Sequence, residues 1–321
     1  MGETLTLLFG QTVQMFLVLL VAPAITGITK RTKACFMRRQ GAPVIQPYRD
    51  LMKLVRKEAI VAESASWLFR VAPYLIFALA WVAAALVPTF ATGLLFSWTG
   101  DVIVIIALLG SARFMLALAG MDIGTSFGGI GSSREMMIAT LAEPAMLLVV
   151  LTMALAAGTT QLPGVADFLI AAPFTVHVSL ALALVALVIV ALAENARIPI
   201  DNPATHLELT MVHEAMVLEY SGRHLAMIEA ASQLKLVLYV SLIASLFLPF
   251  GIVRVEAGPV AWLGGGAIYL GKIAGAAILL GIWEVSIAKM RVFRVSEFLG
   301  GAFVFAFLAI LLTFVTREVL K

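Results

Sequence analysis

Eight long apolar runs, separated by polar segments, constrain the fold of this chain more than any other feature of its sequence. About 20 apolar residues are needed to cross the hydrocarbon core of a bilayer as a helix. Because backbone in lipid must satisfy its own hydrogen bonds, all eight runs are expected to be helices. The sequence therefore predicts an all-α polytopic membrane protein with about eight transmembrane helices. The runs lie at about 4–27, 71–91, 102–121, 136–157, 176–193, 224–250, 261–287 and 296–316.

The composition supports this class and excludes several others. Hydrophobic residues make up 62% of the chain and charged residues 13%, against about 45–50% and about 25% in soluble domains. The short alternating segments of a transmembrane β-barrel are absent. The single cysteine, Cys35, rules out an intramolecular disulfide and a cysteine-based zinc or iron–sulfur site built by this chain alone. We expect one transmembrane domain over residues 1–321, and the net charge of +3 does not suggest nucleic acid.

The distribution of basic residues predicts the orientation in the membrane. Four loops on one side carry 16 of the 22 lysines and arginines, whereas the opposite side carries Arg254, Arg317 and Lys321. By the positive-inside rule the four basic loops are cytoplasmic and both termini lie outside. The four loops are 28–70, 122–135, 194–223 and 288–297.

The loop 28–70 contains a predicted amphipathic helix. Pro47 is well placed to begin it, and apolar residues follow at helical spacing, with basic residues on the other faces. Such a helix either lies on anionic lipid headgroups or docks under a partner subunit, and the pattern leaves both open. The apolar residues are Tyr48, Leu51, Met52 and Val55, and the basic residues are Arg49, Lys53 and Arg56.

The loop 194–223 is acidic and unlike an ordinary solvated loop. It carries five of the 19 acidic residues, has no lysine, and keeps apolar residues between its acids. This pattern favours packing into a protein interior or interface. His206 and His213 are seven apart, but the zinc motif H-E-x-x-H does not occur, so no metal site is predicted. The acids are Glu194, Asp201, Glu208, Glu214 and Glu219.

The loop 122–135, with the sequence DIGTSFGGIGSSRE, is rich in glycine and serine. It lacks the spacing of a P-loop or of the dinucleotide fingerprint, and no strand precedes it. We interpret it as a close-packed turn.

Ionisable residues also occur within the predicted spans, where each charge must face protein or water. Glu143 lies about two turns into its span and precedes Pro144, whose missing amide donor weakens the helix locally. Such groups either relay protons or charge, or form static ion pairs that hold helices together. The predicted relay residues are Glu143, Glu194, Asp201, Glu208, Glu214, Glu219, Glu229 and Lys235, and the predicted ion-pairing and loop-organising residues are Arg113, Arg134, Arg197 and Arg223. Lys272 and Glu284 are further charges in the seventh span.

Three motifs together resemble one family. The first is RRQGAPVIQPYRDLMKLVRKE at 38–58, the second runs from Arg134 to Glu143 into a span, and the third is ENARIPID followed by LEL and LEYSG. They are similar to motifs of the membrane subunit of respiratory complex I that is designated 1 or H. The counterparts of that protein occur in energy-converting nickel–iron hydrogenases of the hydrogenase-4 and formate hydrogenlyase type.

The resemblance implies the role, the partners and the cofactors. Members of this family anchor a peripheral arm, and their buried carboxylates begin a charged axis that leads to antiporter-like membrane subunits. We therefore expect an iron–sulfur small subunit and a hydrogenase-like large subunit as partners. The loops 28–70 and 194–223 are predicted to form the docking surface for the iron–sulfur subunit, with Arg49, Lys53 and Arg56 as docking residues. The nickel–iron centre and iron–sulfur clusters are expected in those partners and no cofactor in this chain alone. The resemblance places the chain in a prokaryotic cytoplasmic (inner) membrane.

Departures from the complex I pattern favour the hydrogenase branch. Gln46 follows closely after Gly41-Ala42-Pro43 in the sequence. The stretch that lies near the quinone entrance in complex I is therefore shortened here. Two acidic positions of complex I correspond to Ala204 and His206, and about three extra residues precede LEYSG. We expect the proton-coupling membrane anchor of a hydrogenase-type complex. Two alternatives remain: the quinone-site subunit of an NADH:quinone oxidoreductase, and a stand-alone secondary transporter, although no internal repeat is apparent.

Overall fold

The computed structural model describes residues 2–96, 99–171, 178–201, 211–288, 290 and 294–319. Within these ranges the chain forms eleven α-helices, one pair of two-residue strands and a short 3-10 helix, Val255–Ala257. The helices are α1 (Gly2–Phe36), α2 (Gln46–Arg56), α3 (Trp67–Leu86), α4 (Val102–Asp122), α5 (Ser126–Ala157), α6 (Leu162–Ala171), α7 (Val178–Glu194), α8 (His213–Val217), α9 (Gly222–Phe247), α10 (Pro259–Ser286) and α11 (Val295–Val319). The strands are β1 (Ala91–Thr92) and β2 (Val253–Arg254).

The helices confirm the prediction of an all-α polytopic membrane protein. In the described part of the chain, seven are long and apolar enough to cross a membrane, and α7 is a shorter apolar helix of 17 residues. The fifth predicted span, 176–193, corresponds to α7, although residues 176 and 177 lie outside the described residues. Helix α1 continues to Phe36, past its predicted end at residue 27, and Lys33 in its last turn stabilises the helix carboxyl end.

The connecting segments gather at two opposite ends of the helix bundle. At one end β1 pairs with β2 in parallel, and the Val102 amide donates to the Thr160 carbonyl at 3.2 Å. At the other end Ser221 exchanges two 2.9 Å hydrogen bonds with the backbone of Ile60. Each long helix therefore runs from one end to the other, and the assignment of the second end to the cytoplasm remains a prediction.

Helix α9 lies at the centre of the bundle. It packs against α1, α2 and α3. Of its most apolar stretch of 18 residues, 67% is buried within the chain. Its core residues Leu234, Val237 and Leu242 are fully buried. Helix α11 packs along α5 and α7 and leaves a broad apolar surface for lipid or for other membrane proteins.

Helix α2 packs against α1 and α9 at the second end of the bundle. The Tyr48 hydroxyl donates a hydrogen bond to the Leu20 carbonyl in α1, and burial raises the pKa of this phenol, so it remains a neutral donor. Met52 and Val55 are 58% and 53% exposed. A surface helix with exposed apolar residues between exposed basic ones suits contact with another molecule.

The segment that follows α2 is closely joined to the start of α9. Gly222 has a φ of 53°, and a Cβ at this position would lie 2.2 Å from the Glu58 carbonyl oxygen. Glycine is required here because a side chain would be strained by the backbone and blocked by that oxygen. The end of the acidic loop and the segment after α2 therefore form one surface.

The interpretation of residues 122–135 as a close-packed turn is wrong for most of the segment. Helix α5 begins at Ser126, with Thr125 as its N-cap accepting from the Gly128 amide at 3.3 Å. The glycines allow close packing between helices rather than a turn of the chain. A Cβ on Gly128 would lie 2.0 Å from the Gly120 carbonyl oxygen in α4, and one on Gly131 would lie 3.0 Å from atoms of α8.

Two adjacent glycines of α5 provide a matched test of this packing. Gly128→Ala should destabilise the chain by about 1–3 kcal/mol, because the new methyl group must displace the α4 backbone. Gly129→Ala meets open space and should be neutral or stabilising by up to about 1 kcal/mol, since alanine favours helix over glycine. Thermal unfolding in detergent measures both variants. If Gly129→Ala is as destabilising as Gly128→Ala, then close α4–α5 packing does not explain the glycine.

Candidate functional site: a buried ionic cluster

Arg113 of α4 is the centre of a buried ionic cluster. Its side chain is 3% exposed and contacts carboxylates from two other helices. Its Nη1 lies 3.0 Å from the Glu143 Oε1 and its Nε lies 3.5 Å from the Glu135 Oε1, both in α5. Its Nη2 pairs with the Oε1 of Glu194, the last residue of α7. One guanidinium thus connects three carboxylates.

Lys235 of α9 completes this cluster from the opposite side of Glu194. Its Nζ lies 2.9 Å from the Glu194 Oε2, and the Glu194 side chain is 2% exposed. Two cations and three carboxylates give a net charge of −1 when all are ionised. Removing one partner from such a buried group leaves an uncompensated charge at high cost. One proton among the three carboxylates would neutralise the cluster, so it is chemically suited to hold and release a proton.

Glu143 lies at the rim of the cluster rather than in its interior. Its side chain is 43% exposed, whereas those of Arg113 and Glu194 are 3% and 2% exposed. The Glu143 side chain reaches inward to Arg113 from the outer surface of α5. A carboxylate in this position is costly against lipid and is better accommodated by a neighbouring membrane protein.

A cavity of about 60 Å³ adjoins the cluster. This volume is large enough to hold water, since one molecule needs at least about 10–15 Å³. The buried Nε of Arg113 has no hydrogen-bond partner among the described residues. The polar residues of its wall are Arg113, Glu135, Glu194, Asn195, His213, Ser232 and Lys235.

A second ionic group lies just beyond Glu194 in the chain. The Glu284 side chain, 2% exposed in α10, contacts Lys33 Nζ at 2.7 Å and Arg197 Nη1 at 3.3 Å. The neighbouring Trp283 donates its indole N–H to the Ile198 carbonyl at 3.1 Å. These contacts attach the start of the acidic loop to α1 and α10, and so restrain the backbone that carries Glu194.

The other predicted site residues that the structure describes lie outside the five-residue cluster. Asp201 is buried and accepts from the Val212 amide at 3.3 Å, and Arg134 donates to the Met211 carbonyl at 2.8 Å. Glu214 is in α8, Glu229 is partly buried in α9, and Glu219 and Arg223 are exposed. Glu208 lies outside the described residues, and among those described no group of three or more His, Cys, Asp or Glu residues could hold a metal ion.

The sequence interpretation missed Glu135 and Lys33 and assigned no role to Glu284. Glu135 was overlooked because residues 122–135 were interpreted as a turn. A helix from Ser126 places Glu135 eight residues before Glu143, about 80° away around the helix and so within one broad stripe. Lys33 was overlooked because α1 was expected to end before it.

The fold and cluster define a class: a helical membrane protein with paired charges buried at membrane depth. A family model described as NADH dehydrogenase matches residues 10–316. The chain therefore belongs to this family, that of the complex I membrane subunit designated 1 or H, as the sequence motifs predicted.

Curated relatives include membrane subunits of three kinds of complex. The chain is 29% identical to formate hydrogenlyase subunit 4 of Escherichia coli, over 92% of this chain and 95% of that protein. It is 35% identical to hydrogenase-4 component C of the same organism, over 74% of each chain. It is 28% identical to the H-type subunit of the NADH-quinone oxidoreductase of Rickettsia canadensis, over 71% and 70% of the two chains.

A solved structure shares the fold. It is that of the membrane-bound sulfane sulfur reductase, an archaeal respiratory membrane complex, and it matches with a TM-score of 0.80 and 19% identity over 98% of this chain and all of the matched chain. That complex therefore contains a chain with the same helix arrangement as this one.

Proposed function

We propose that this chain is the membrane anchor and proton-coupling subunit of an energy-converting hydrogenase or formate hydrogenlyase-type complex. The observation that carries the proposal is the cluster in which Arg113 connects Glu135, Glu143 and Glu194. The cluster joins the acidic loop at one end of the bundle to Glu143, whose carboxylate is partly exposed on the outer surface of α5. Such a group can transmit a change of charge at the loop into the membrane.

The hydrogenase branch is favoured by the extent of similarity. Formate hydrogenlyase subunit 4 matches over nearly its whole length, whereas the NADH-quinone oxidoreductase relative from Rickettsia canadensis matches over 70% of its own. The shortened stretch after Gly41 agrees with this choice, because it corresponds to the quinone entrance of complex I. In this proposal the nickel–iron centre and the iron–sulfur clusters belong to partner subunits.

The proposed docking surface for the iron–sulfur subunit consists of α2 together with residues 57–60 and 218–222. Arg49, Lys53 and Arg56 are exposed there, next to the exposed Met52 and Val55. Hydrogen bonds between Ile60 and Ser221 connect this surface to the acidic loop. A subunit bound to α2 would therefore lie beside the loop whose first residue, Glu194, belongs to the cluster.

Glu143 is the proposed exit of the charge relay. Its carboxyl group is 43% exposed on the outer surface of α5, where an antiporter-like membrane subunit would cover it. When a redox change in the docked arm alters the electrostatic potential at Glu194, the shared proton is redistributed within the cluster. Protonation or deprotonation of Glu143 then presents a different charge to the neighbouring subunit.

The variant Glu143→Gln tests this proposal. An amide keeps the size of the side chain but cannot exchange a proton. We expect the complex to assemble and to keep its hydrogenase activity. The number of ions translocated for each electron transferred should fall by about tenfold or more. The measurement uses the complex in proteoliposomes with a pH-sensitive dye inside and parallel hydrogen detection.

The matched control is Asp167→Asn, an equivalent change outside the cluster at the other end of the bundle, which should leave the ratio unchanged. If assembled Glu143→Gln translocates ions at the wild-type ratio, the relay role is wrong. If the complex fails to assemble, Glu143 is a structural partner of Arg113.

Similarity to the NADH-quinone oxidoreductase relatives also supports the second candidate, a quinone-reducing complex. Purification from native membranes separates the candidates by composition. Nickel–iron and iron–sulfur subunits support the proposal, whereas a flavin-containing NADH module supports the quinone enzyme. A homo-oligomer without other subunits would contradict both and favour a transporter.

A further inference from the structure

One titratable residue of the cavity wall is not part of the ionic cluster. His213 is partly exposed and lines the same cavity as Glu135, Glu194 and Lys235. It lies at the start of α8, at the end of the bundle where the acidic loop runs. His213 is therefore a partly exposed residue at that end of the bundle that also borders the cavity beside the cluster.

Two charged residues hold the backbone immediately before His213. Arg134 donates to the Met211 carbonyl at 2.8 Å, and the Val212 amide donates to Asp201 at 3.3 Å. Both side chains extend to this backbone from other segments, Arg134 from α5 and Asp201 from the turn after α7. They place residues 211 and 212, and hence the following imidazole, relative to the cavity.

Helix α8 is equally well held on its other side. Ala215 and Met216 are buried, and their side chains lie where a Cβ on Gly131 would meet them at 3.0 Å. A glycine in α5 therefore allows α8 to approach closely. Because α8 is anchored on both sides, the fold determines the position of His213.

The chemistry of the cavity distinguishes His213 from its neighbours. Arg113, Glu135, Glu194 and Lys235 form ion pairs with one another, whereas His213 has no ion pair among the described residues. Imidazole is the side chain that exchanges protons most readily near neutral pH. Among the described residues, the charged groups around it are those four, together with Arg134 and Asp201 beside its backbone and the adjacent Glu214.

We propose that His213 transfers protons between the cytoplasmic side and the ionic cluster. The imidazolium gives a proton, through water in the cavity, to a carboxylate of the cluster. The neutral imidazole then takes up a proton from the cytoplasmic side, so His213 returns to its starting state and one proton has moved from the cytoplasm to the cluster. The inference rests on the proposed function and adds the group that supplies its protons.

The test compares His213→Gln with His224→Gln in the complex reconstituted in proteoliposomes. His224 is buried against Tyr74, with ring centroids 5.7 Å apart, and is not part of the cavity wall. We expect His213→Gln to reduce the rate of proton translocation by about tenfold or more and His224→Gln to leave it nearly unchanged. Imidazole added to the medium should restore most of the lost rate, because a small base can replace a missing proton carrier.

A second variant, His213→Glu, keeps a titratable group and should retain translocation with its pH optimum moved to lower pH. Wild-type translocation by His213→Gln would overturn the proposal. Equal losses in the Gln and Glu variants without recovery in imidazole would also overturn it, since that result describes a structural role. If Glu143→Gln impairs translocation while His213→Gln does not, only this inference fails. If neither variant changes translocation, the proposed function itself fails.

Discussion

Replacing Arg113 with methionine is expected to prevent the folded chain from accumulating in the membrane. Methionine removes the cation that connects Glu135, Glu143 and Glu194. Removing one partner of a buried ionic group costs about 3–5 kcal/mol, a large part of the about 5–15 kcal/mol by which a typical protein is stable. The measurements are the amount of chain in isolated membranes and the unfolding temperature of the detergent-solubilised complex.

Two further variants show whether charge is the cause. Arg113→Lys keeps the charge but cannot reach three carboxylates with one ammonium group, so its stability should be intermediate. Arg113→Met combined with Glu135→Gln removes one charge of each sign, leaves the Lys235–Glu194 pair intact and should recover part of the loss. If Arg113→Met accumulates at the wild-type level, the cluster does not determine stability. If the double variant is no better than Arg113→Met, then uncompensated charge is not the reason for the defect.

Reversing the charge of α2 should release the peripheral arm. The variant with Arg49, Lys53 and Arg56 all changed to Glu places three acids where the proposed partner meets three bases. Like charges brought together across an interface cost several kcal/mol, which weakens binding at least about a hundredfold. Co-purification of the iron–sulfur subunit with the membrane subunit measures the effect.

The controls separate docking from folding. The three residues are exposed and have no ion pair among the described contacts, so the reversed chain should insert normally. Arg254→Glu changes an exposed side chain at the opposite end of the bundle and should leave the arm bound. Unchanged co-purification of the arm with the reversed α2 would show that it docks elsewhere.

The sequence by itself determined the class of fold. Apolar runs such as 102–121 must become helices, because lipid leaves the backbone no other way to satisfy its hydrogen bonds. The same runs revealed which charges lie at membrane depth, and hence Arg113, Glu143 and Lys235 as candidates. The motifs from Arg38 to Gly222 were sufficient to recognise the family.

Only the tertiary structure decided which of these charges meet. Glu135, Glu194 and Lys235 come from three helices, and nothing local in the sequence specifies that Arg113 lies between them. Likewise, the sequence places Glu143 within a span but does not show that its side chain is 43% exposed at the rim. The physical reason is that hydropathy reports the solvent that each helix requires, whereas the pairing of charges depends on how the helices are rotated and packed.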